Sequence, residues 1–290
     1  MGKLLLIADM KGSCIATPRG LEIADKLKLD TEVVAFVYAP LGKLQADAAG
    51  KAAIKKRLQS EREAELRAVI DKHQRPGQKV KLHVYWGKDM VDWVIRHCSR
   101  TTYAMVVKKG HRSETLAHAS SDWLLLRECP APLLILAENK WRRTSPVMAA
   151  VDLSTSVATK KRLNDKVLSH ARLLADAMGE QLEIICAVEV PTLLQELDLV
   201  DPATYAREAK AEMAPALRKL AAKHGIPEDA FRIKRGPVEK VIASQAAEKR
   251  AQIVVMGTVG RKGVKARLIG NTAEKVLATL KTDVLALKPD

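Results

Sequence analysis

The chain repeats one pattern of strands and helices twice, and this repeat constrains its fold more than any other feature. The first half opens with a short apolar run that ends at an acid, from Lys3 to Asp9, and the second half opens in the same way, from Val147 to Asp152. A segment with helical features follows each run. Short apolar runs that alternate with helical segments are typical of buried parallel strands.

The later strands recur as well. Each half has a third strand that leads to a glycine and then a helix, and the offset between these glycines, Gly87 and Gly236, places a fourth strand in each half. These further strands are predicted at 32–38, 79–86, 104–107 and 132–137, and at 181–190, 231–235, 253–256 and 284–287. The alternation predicts an α/β fold of two tandem open parallel five-stranded sheets flanked by helices, which is Rossmann-like. The domains are predicted at 1–140 and 146–290, with a polar linker between them.

Composition excludes several classes of protein. The 290 residues are 47% hydrophobic and 29% charged, as in ordinary globular proteins. No apolar run approaches the roughly 20 residues needed to cross a bilayer, so we expect a cytoplasmic protein with no membrane partner. The four cysteines form no CxxC pair, and the seven histidines show no zinc-binding spacing. We therefore expect no metal site.

The chain is strongly basic. Lys and Arg number 49 against 34 Asp and Glu, which gives a formal net charge of +15. A nucleic acid or another polyanion is therefore an alternative partner. Only 3% of the residues are aromatic, which argues against a stacking platform for single strands, and no nucleic-acid motif is present.

A glycine-rich loop in the second half is the strongest sign of a ligand site. Ligands of open α/β sheets bind beyond the carboxyl ends of the strands. Glycines let backbone N–H groups approach a phosphate, and the start of a helix attracts anions. Asn271 has an alternative role as a helix cap. After the predicted strand 253–256 come Gly257, Gly260, Gly270, Asn271 and Thr272, and then a helix predicted over 273–280.

The spacing Gly257-x2-Gly260-x9-Gly270 with a polar pair after it resembles the nucleotide loop of the universal stress protein family. The resemblance covers nearly the whole chain, twice. It implies a non-enzymatic, cytoplasmic stress-response protein that binds ATP or a related adenine nucleotide in its second domain. It allows a homodimer, and it implies a pseudo-twofold pairing of the two domains through strands 133–136 and 284–287. The implied nucleotide-binding residues are Asp152, Val188, Met256, Gly257, Gly260, Gly270, Asn271 and Thr272.

Two consequences of this resemblance are specific to this chain. ATP-binding members usually carry Ser or Thr directly after the third glycine, and Asn271 in that place is expected to weaken binding. A Gly257→Val change is expected to fill the space of the phosphates with little effect on folding.

The first half departs further from the pattern. At the glycine offset, Lys108, His111 and Ser121 take the three glycine positions, while Asp9 is retained. We therefore expect no ATP there. Two alternatives stay open: a structural domain with a filled site, or a cavity for a larger, partly apolar anionic ligand. In the second alternative the lining residues would be Leu116, Trp123 and Leu124, with residues 108–112 binding the anionic head group. Asp9 and Asp152 have an alternative role in capping the next helix. No catalytic motif is present.

Overall fold

The computed structural model describes residues 2–10, 14–110, 121–137, 145–258 and 270–289. They form two compact units, a first unit up to residue 137 and a second unit from residue 145 onward. The limit predicted at 140 lies within residues 138–144, which are outside the described residues, so the domain boundaries stay a prediction. The pseudo-twofold pairing through the last strands also stays a prediction.

The first unit is a parallel five-stranded sheet with helices, in the strand order β3-β2-β1-β4-β5. The central strand is fully buried from Leu4 to Leu6, as its unbroken apolar sequence predicts. Its strands are β1 (Lys3–Ile7), β2 (Asp30–Val37), β3 (Val80–Trp86), β4 (Met105–Lys109) and β5 (Leu133–Leu136). Its helices are α1 (Ala16–Lys26), α2 (Ala48–His73), α3 (Met90–Arg100) and α4 (Ser121–Glu128), with a 3₁₀ turn at Leu41–Lys43.

The second unit repeats this architecture in the strand order β8-β7-β6-β9-β10. Its core lies on the fully buried run Ile253–Val255 of β9. Its strands are β6 (Val147–Ala150), β7 (Leu182–Val188), β8 (Phe231–Arg235), β9 (Ile253–Gly257) and β10 (Asp283–Leu287). Its helices are α5 (Ala158–Met178), α6 (Thr192–Glu196), α7 (Pro202–His224), α8 (Val238–Glu248) and α9 (Asn271–Thr279), with a 3₁₀ turn at Glu228–Ala230. The predicted α/β class of two parallel five-stranded sheets is confirmed.

The predicted alignment of the fourth strands is wrong by one residue. Ile7 pairs with Lys108 in the first unit, and Ala150 pairs with Met256 in the second. Asp9 and Asp152 each stand two residues after these strand ends, so Lys108 corresponds to Met256. Lys109, rather than Lys108, therefore occupies the position of Gly257. The offset read from the glycines at the third strands does not carry over, because the connections between strands differ in length.

The third glycine position is also corrected. The last backbone bond of each helix runs from Cys129 N–H to Leu125 O in α4 and from Leu280 N–H to Val276 O in α9. Ser121 thus corresponds to Thr272 and not to Gly270. His111, assigned to the second glycine position, lies outside the described residues.

The first helix differs most between the two units. Helix α1 has 11 residues and α5 has 21. Both helices end on equivalent turns, in which Leu29 N–H donates to Ala24 O and Glu180 N–H donates to Ala175 O. The additional residues of α5 therefore lie at its N-terminal end, next to the carboxyl ends of the strands.

Candidate functional site

A cleft of about 740 Å³ lies at the carboxyl ends of the strands in the second unit. This volume is within the usual range of small-molecule sites. From β6 the chain continues to β7 on one side, whereas β9 pairs with β6 on the other side. The cleft therefore lies at the point where the strand order reverses. Residues 150–154 and 187–189 form its floor, and parts of α5, α7, α8 and α9 form its walls.

The structure brings most of the predicted site residues together. Asp152, Val188, Met256, Gly257, Gly270 and Thr272 all line the cleft. Gly260 lies outside the described residues. Asn271 is the first residue of α9, and the structure does not describe its side chain. The alternative role of Asn271 as a cap is wrong, because Gly270 is the N-cap residue of α9.

The Asp152 carboxylate faces the cleft. Its side chain is 46% exposed, and its oxygens accept a hydrogen bond from Ser154 Oγ at 2.7 Å and lie 3.6 Å from Lys160 Nζ. The alternative in which Asp152 caps the next helix is wrong. Helix α5 has Val157 as its N-cap residue and no side-chain cap. Because ion pairs this exposed contribute little, a ligand can displace Lys160 at small cost.

Sequence reasoning missed the residue that holds the Asp152 backbone, Asn164. The Asp152 N–H donates to Asn164 Oδ1 at 3.1 Å, and Asn164 Nδ2 donates to the Asp152 carbonyl at 2.7 Å. Asn164 is only 7% exposed. A polar residue at a helix position that is buried between Leu163 and Val167 is the signal that could have identified it.

One wall of the cleft is apolar. Tyr205, Ala209 and Met213 recur every four residues along α7 and line the cleft together with Val238 and Ile242 of α8. Four-residue spacing places side chains on one face of a helix, so α7 presents a continuous surface to the cleft. The apolar wall lies in the same cleft as the polar side chains of Asp152 and Lys160.

Cys186 is a buried thiol beneath this wall. Its Sγ is 3.9 Å from Met213 Sδ. Burial raises the pKa of the Cys186 thiol to about 11 against the opposing effect of a hydrogen bond from the Leu153 backbone, and the negative charge of Asp152 makes a smaller contribution to the rise. The thiol is therefore neutral near pH 7 and serves in packing. The described residues also contain no group of three His, Cys, Asp or Glu placed to hold a metal ion.

Gly257 is required by packing, which corrects the expectation that Gly257→Val leaves folding unaffected. A Cβ atom at Gly257 would lie 2.4 Å from Leu163 Cδ2 and 2.7 Å from Leu163 Cγ. Leu163 is 5% exposed and belongs to the core. A valine at Gly257 would therefore overpack the contact between β9 and α5.

Comparison with known proteins identifies the family. The model of the universal stress protein family matches residues 146–288, which covers nearly all of the second unit. Universal stress protein E of Escherichia coli (strain K12) is 28% identical over 274 residues, which span 92% of this chain and 86% of that protein. The second unit belongs to the universal stress protein family, and nearly the whole chain is similar to universal stress protein E.

Further relatives agree with this assignment. A universal stress protein E homolog of Haemophilus influenzae is 29% identical over 226 residues, which span 76% of this chain and 73% of that protein. A crystal structure of a protein of unknown function from Pseudomonas aeruginosa PAO1 has a TM-score of 0.71 and 25% identity, covering 100% of this chain and 93% of that one. A universal stress protein from Archaeoglobus fulgidus, with a TM-score of 0.67, 20% identity, and coverage of 99% of this chain and 98% of that one, shows the same fold.

The first unit uses Asp9, the acid after its first strand, differently from the way the second unit uses Asp152. The Asp9 carboxylate accepts hydrogen bonds from the N–H groups of Ile15 and Ala16 and thereby caps α1. Asp9 is 8% exposed, and its carbonyl accepts a hydrogen bond from Arg62 Nη2. The capping alternative is thus confirmed for Asp9, and its carboxylate is already engaged by backbone donors.

Charged side chains fill the adjoining part of the first unit. Lys108 Nζ lies 2.6 Å from Asp122 Oδ1, with the two side chains only 6% and 10% exposed, and it also donates to the Lys109 carbonyl. These contacts favour a structural first unit over a ligand cavity. Trp123 and Leu124 are half-buried, whereas His111, Arg112 and Leu116 lie outside the described residues. The cavity for a larger anionic ligand therefore stays a prediction.

Proposed function

We propose that this chain is a non-enzymatic, cytoplasmic stress-response protein that binds ATP or a related adenine nucleotide in the cleft of its second unit. The observation that carries the proposal is the half-exposed Asp152 carboxylate, which shares the cleft with an apolar wall and the start of α9. No described helix is long and apolar enough to span a bilayer.

Each part of the nucleotide has a matching part of the cleft. Ribose hydroxyls are hydrogen-bond donors, and the Asp152 carboxylate accepts from them. The base packs against Val188 and the apolar face of α7. The phosphates lie at the start of α9, where Thr272 lines the cleft and the first-turn N–H groups have no partner within the helix. The residues present therefore fit the group that the family resemblance implies.

The first unit is expected to take no ATP. Its equivalent carboxylate, Asp9, caps a helix, and Lys109 stands where the second unit has Gly257. One nucleotide per chain is therefore the expected stoichiometry.

Calorimetry with ATP, ADP and AMP tests the proposal. We expect one site in the wild-type chain and about ten-fold weaker ATP binding at that site in Asp152→Ala, with little change in stability because Asp152 caps no helix. Asp9→Ala is the matched control: it removes the acid at the equivalent position of the first unit and should lower stability while ATP binding is unchanged. Absence of binding to the folded wild-type chain at millimolar nucleotide would refute the proposal.

Two further parts of the proposal have their own measurements. Bound ATP should stay intact over hours in a phosphate-release assay. No histidine lines the described cleft, and the sequence has no catalytic motif that would position an acid to activate water. The homodimer that the resemblance allows is measured by sedimentation with and without ATP. Steady phosphate release, or a purely monomeric species at every concentration, would remove the corresponding part.

A further inference from the structure

We propose that Asn164 is a positioning residue that sets the ribose selectivity of the cleft by acting through Asp152. The inference rests on the proposed function and adds a residue to it. Asn164 is the one described side chain that forms hydrogen bonds with both backbone groups of Asp152. Its role is to hold the backbone so that the carboxylate remains turned toward the ligand.

The two hydrogen bonds from Asn164 continue the backbone pairing just beyond the end of the sheet. Val151 N–H still bonds to the neighbouring strand, at Ile185 O, with a distance of 3.1 Å. Asp152 is the next residue, and its N–H and carbonyl pair with the Asn164 amide instead. A primary amide carries N–H donors and a carbonyl acceptor side by side, and Asn164 uses one of each to pair with the Asp152 backbone, so it extends the pairing by one residue. The Asp152 backbone is thus fixed without use of its own side chain.

The first unit provides an internal comparison. There, Ala8 N–H makes the bond that corresponds to that of Val151, and the next residue is Asp9. No asparagine holds Asp9 among the described contacts. Its carbonyl accepts from Arg62, and its carboxylate turns to the N–H groups at the start of α1. The acid with the amide clamp is 46% exposed on its side chain, whereas the acid without the clamp is buried.

The additional turns of α5 bring Asn164 to this place. They have no counterpart in α1, and they also carry Lys160 and Leu163, which line the cleft together with Asn164. Leu163 and Val167 are in the core and anchor the helix on either side of Asn164. Because the amide is buried and anchored, its two hydrogen bonds are shielded from competing water.

The test separates positioning from general stability by removing the ribose hydroxyls. Affinities of the full chain for ATP and for 2′,3′-dideoxy-ATP are measured by calorimetry for the wild type, Asn164→Ala, Asn164→Leu and Asp152→Ala. In both Asn164 variants the ribose is expected to lose one hydrogen bond to the Asp152 carboxylate. ATP should therefore bind about ten-fold more weakly. Their affinity for the dideoxy nucleotide should change less than about two-fold, because that ligand makes no bond to Asp152. Asp152→Ala should show the same pattern.

Two controls keep the result interpretable. Asn164→Leu preserves the branched shape and the number of heavy atoms of the side chain, so it remains usable if Asn164→Ala fails to fold. Gln245→Ala removes another buried amide of the second unit, one that bonds to Glu248 and does not line the cleft, and it should leave both affinities unchanged.

The outcomes are distinct. If the wild type binds no ATP, the proposed function fails, and this inference fails with it. If the wild type binds ATP but the Asn164 variants lose both nucleotides equally, or lose neither, the proposed function stands and the positioning role is refuted.

Discussion

One added methyl group at Gly257 measures how closely β9 packs against α5. In Gly257→Ala the new Cβ would lie 2.4 Å from Leu163 Cδ2, well inside van der Waals contact. The Leu163 Cγ atom is also only 2.7 Å away, so a rotation of the terminal methyl groups alone cannot relieve the clash. Because both partners are in the core, we expect the overpacking to cost about 1–3 kcal/mol of unfolding free energy.

A double-mutant cycle assigns that cost to the Leu163 contact. Leu163→Ala alone should destabilise the protein by about 2–5 kcal/mol, since it leaves a cavity in the core. In the Leu163→Ala background, the new methyl group at Gly257 enters that cavity, and its cost should fall close to zero. The expected coupling energy is therefore about 1–3 kcal/mol, measured by urea unfolding followed by far-UV circular dichroism.

Gly42→Ala is the matched control for this cycle. A Cβ at Gly42 meets no atom within 4 Å, so the same chemical change should alter stability by less than about 0.5 kcal/mol. Additive effects of Gly257→Ala and Leu163→Ala would refute the packing argument. Gly257 would then be required only by a ligand, and Gly257→Val would again be a clean test of nucleotide binding.

Three other perturbations follow from the structure. Burial favours a higher pKa for Asp165, but hydrogen bonds from Lys223 and His224 outweigh it and hold the pKa of Asp165 below its usual 3.8. Asp165→Asn should therefore cost about 1 kcal/mol near pH 7, and the difference should vanish as the pH falls through that lowered pKa, as followed by urea unfolding. Asp122→Ala separates Lys108 from its buried carboxylate partner and should cost about 3–5 kcal/mol, whereas the double replacement Lys108→Met with Asp122→Leu should cost much less in the same measurement. If the basic surface binds nucleic acid, gel shifts should weaken steeply as salt rises, and their absence at low salt would remove that alternative.

Much of the architecture follows from local sequence. Strand β8 was predicted at 231–235 and lies there, because a short stretch of alternating apolar and basic residues is recognisable by itself. The end of α7 at Gly225 is equally local, since that residue adopts a positive φ of 59° that suits glycine. The family resemblance that the glycine spacing supports implied eight site residues, and six of them line the cleft.

The amino-acid composition does not reveal where in the fold the aromatic residues lie. Aromatic residues are only 3% of the chain, yet Phe36, Tyr85 and Trp93 pack together in the first unit, with ring centroids 4.6–5.8 Å apart. The low content argued against a stacking platform for single strands, but it gave no information on where the aromatic residues cluster. Residues from β2, β3 and α3 meet only after the chain has folded.

The sequence by itself determined which segments are strands and helices, because their periodicity and their breaking residues act within a few positions along the chain. Only the tertiary structure decided the roles of individual side chains at the strand ends. Asp9 and Asp152 look alike in sequence, but one caps α1 and the other faces a cleft, since the helix that follows differs in length. Gly257 meets Leu163, and Asn164 meets Asp152, across distances in sequence that no local pattern spans. Such contacts depend on where separate elements pack, and packing is decided by the whole fold.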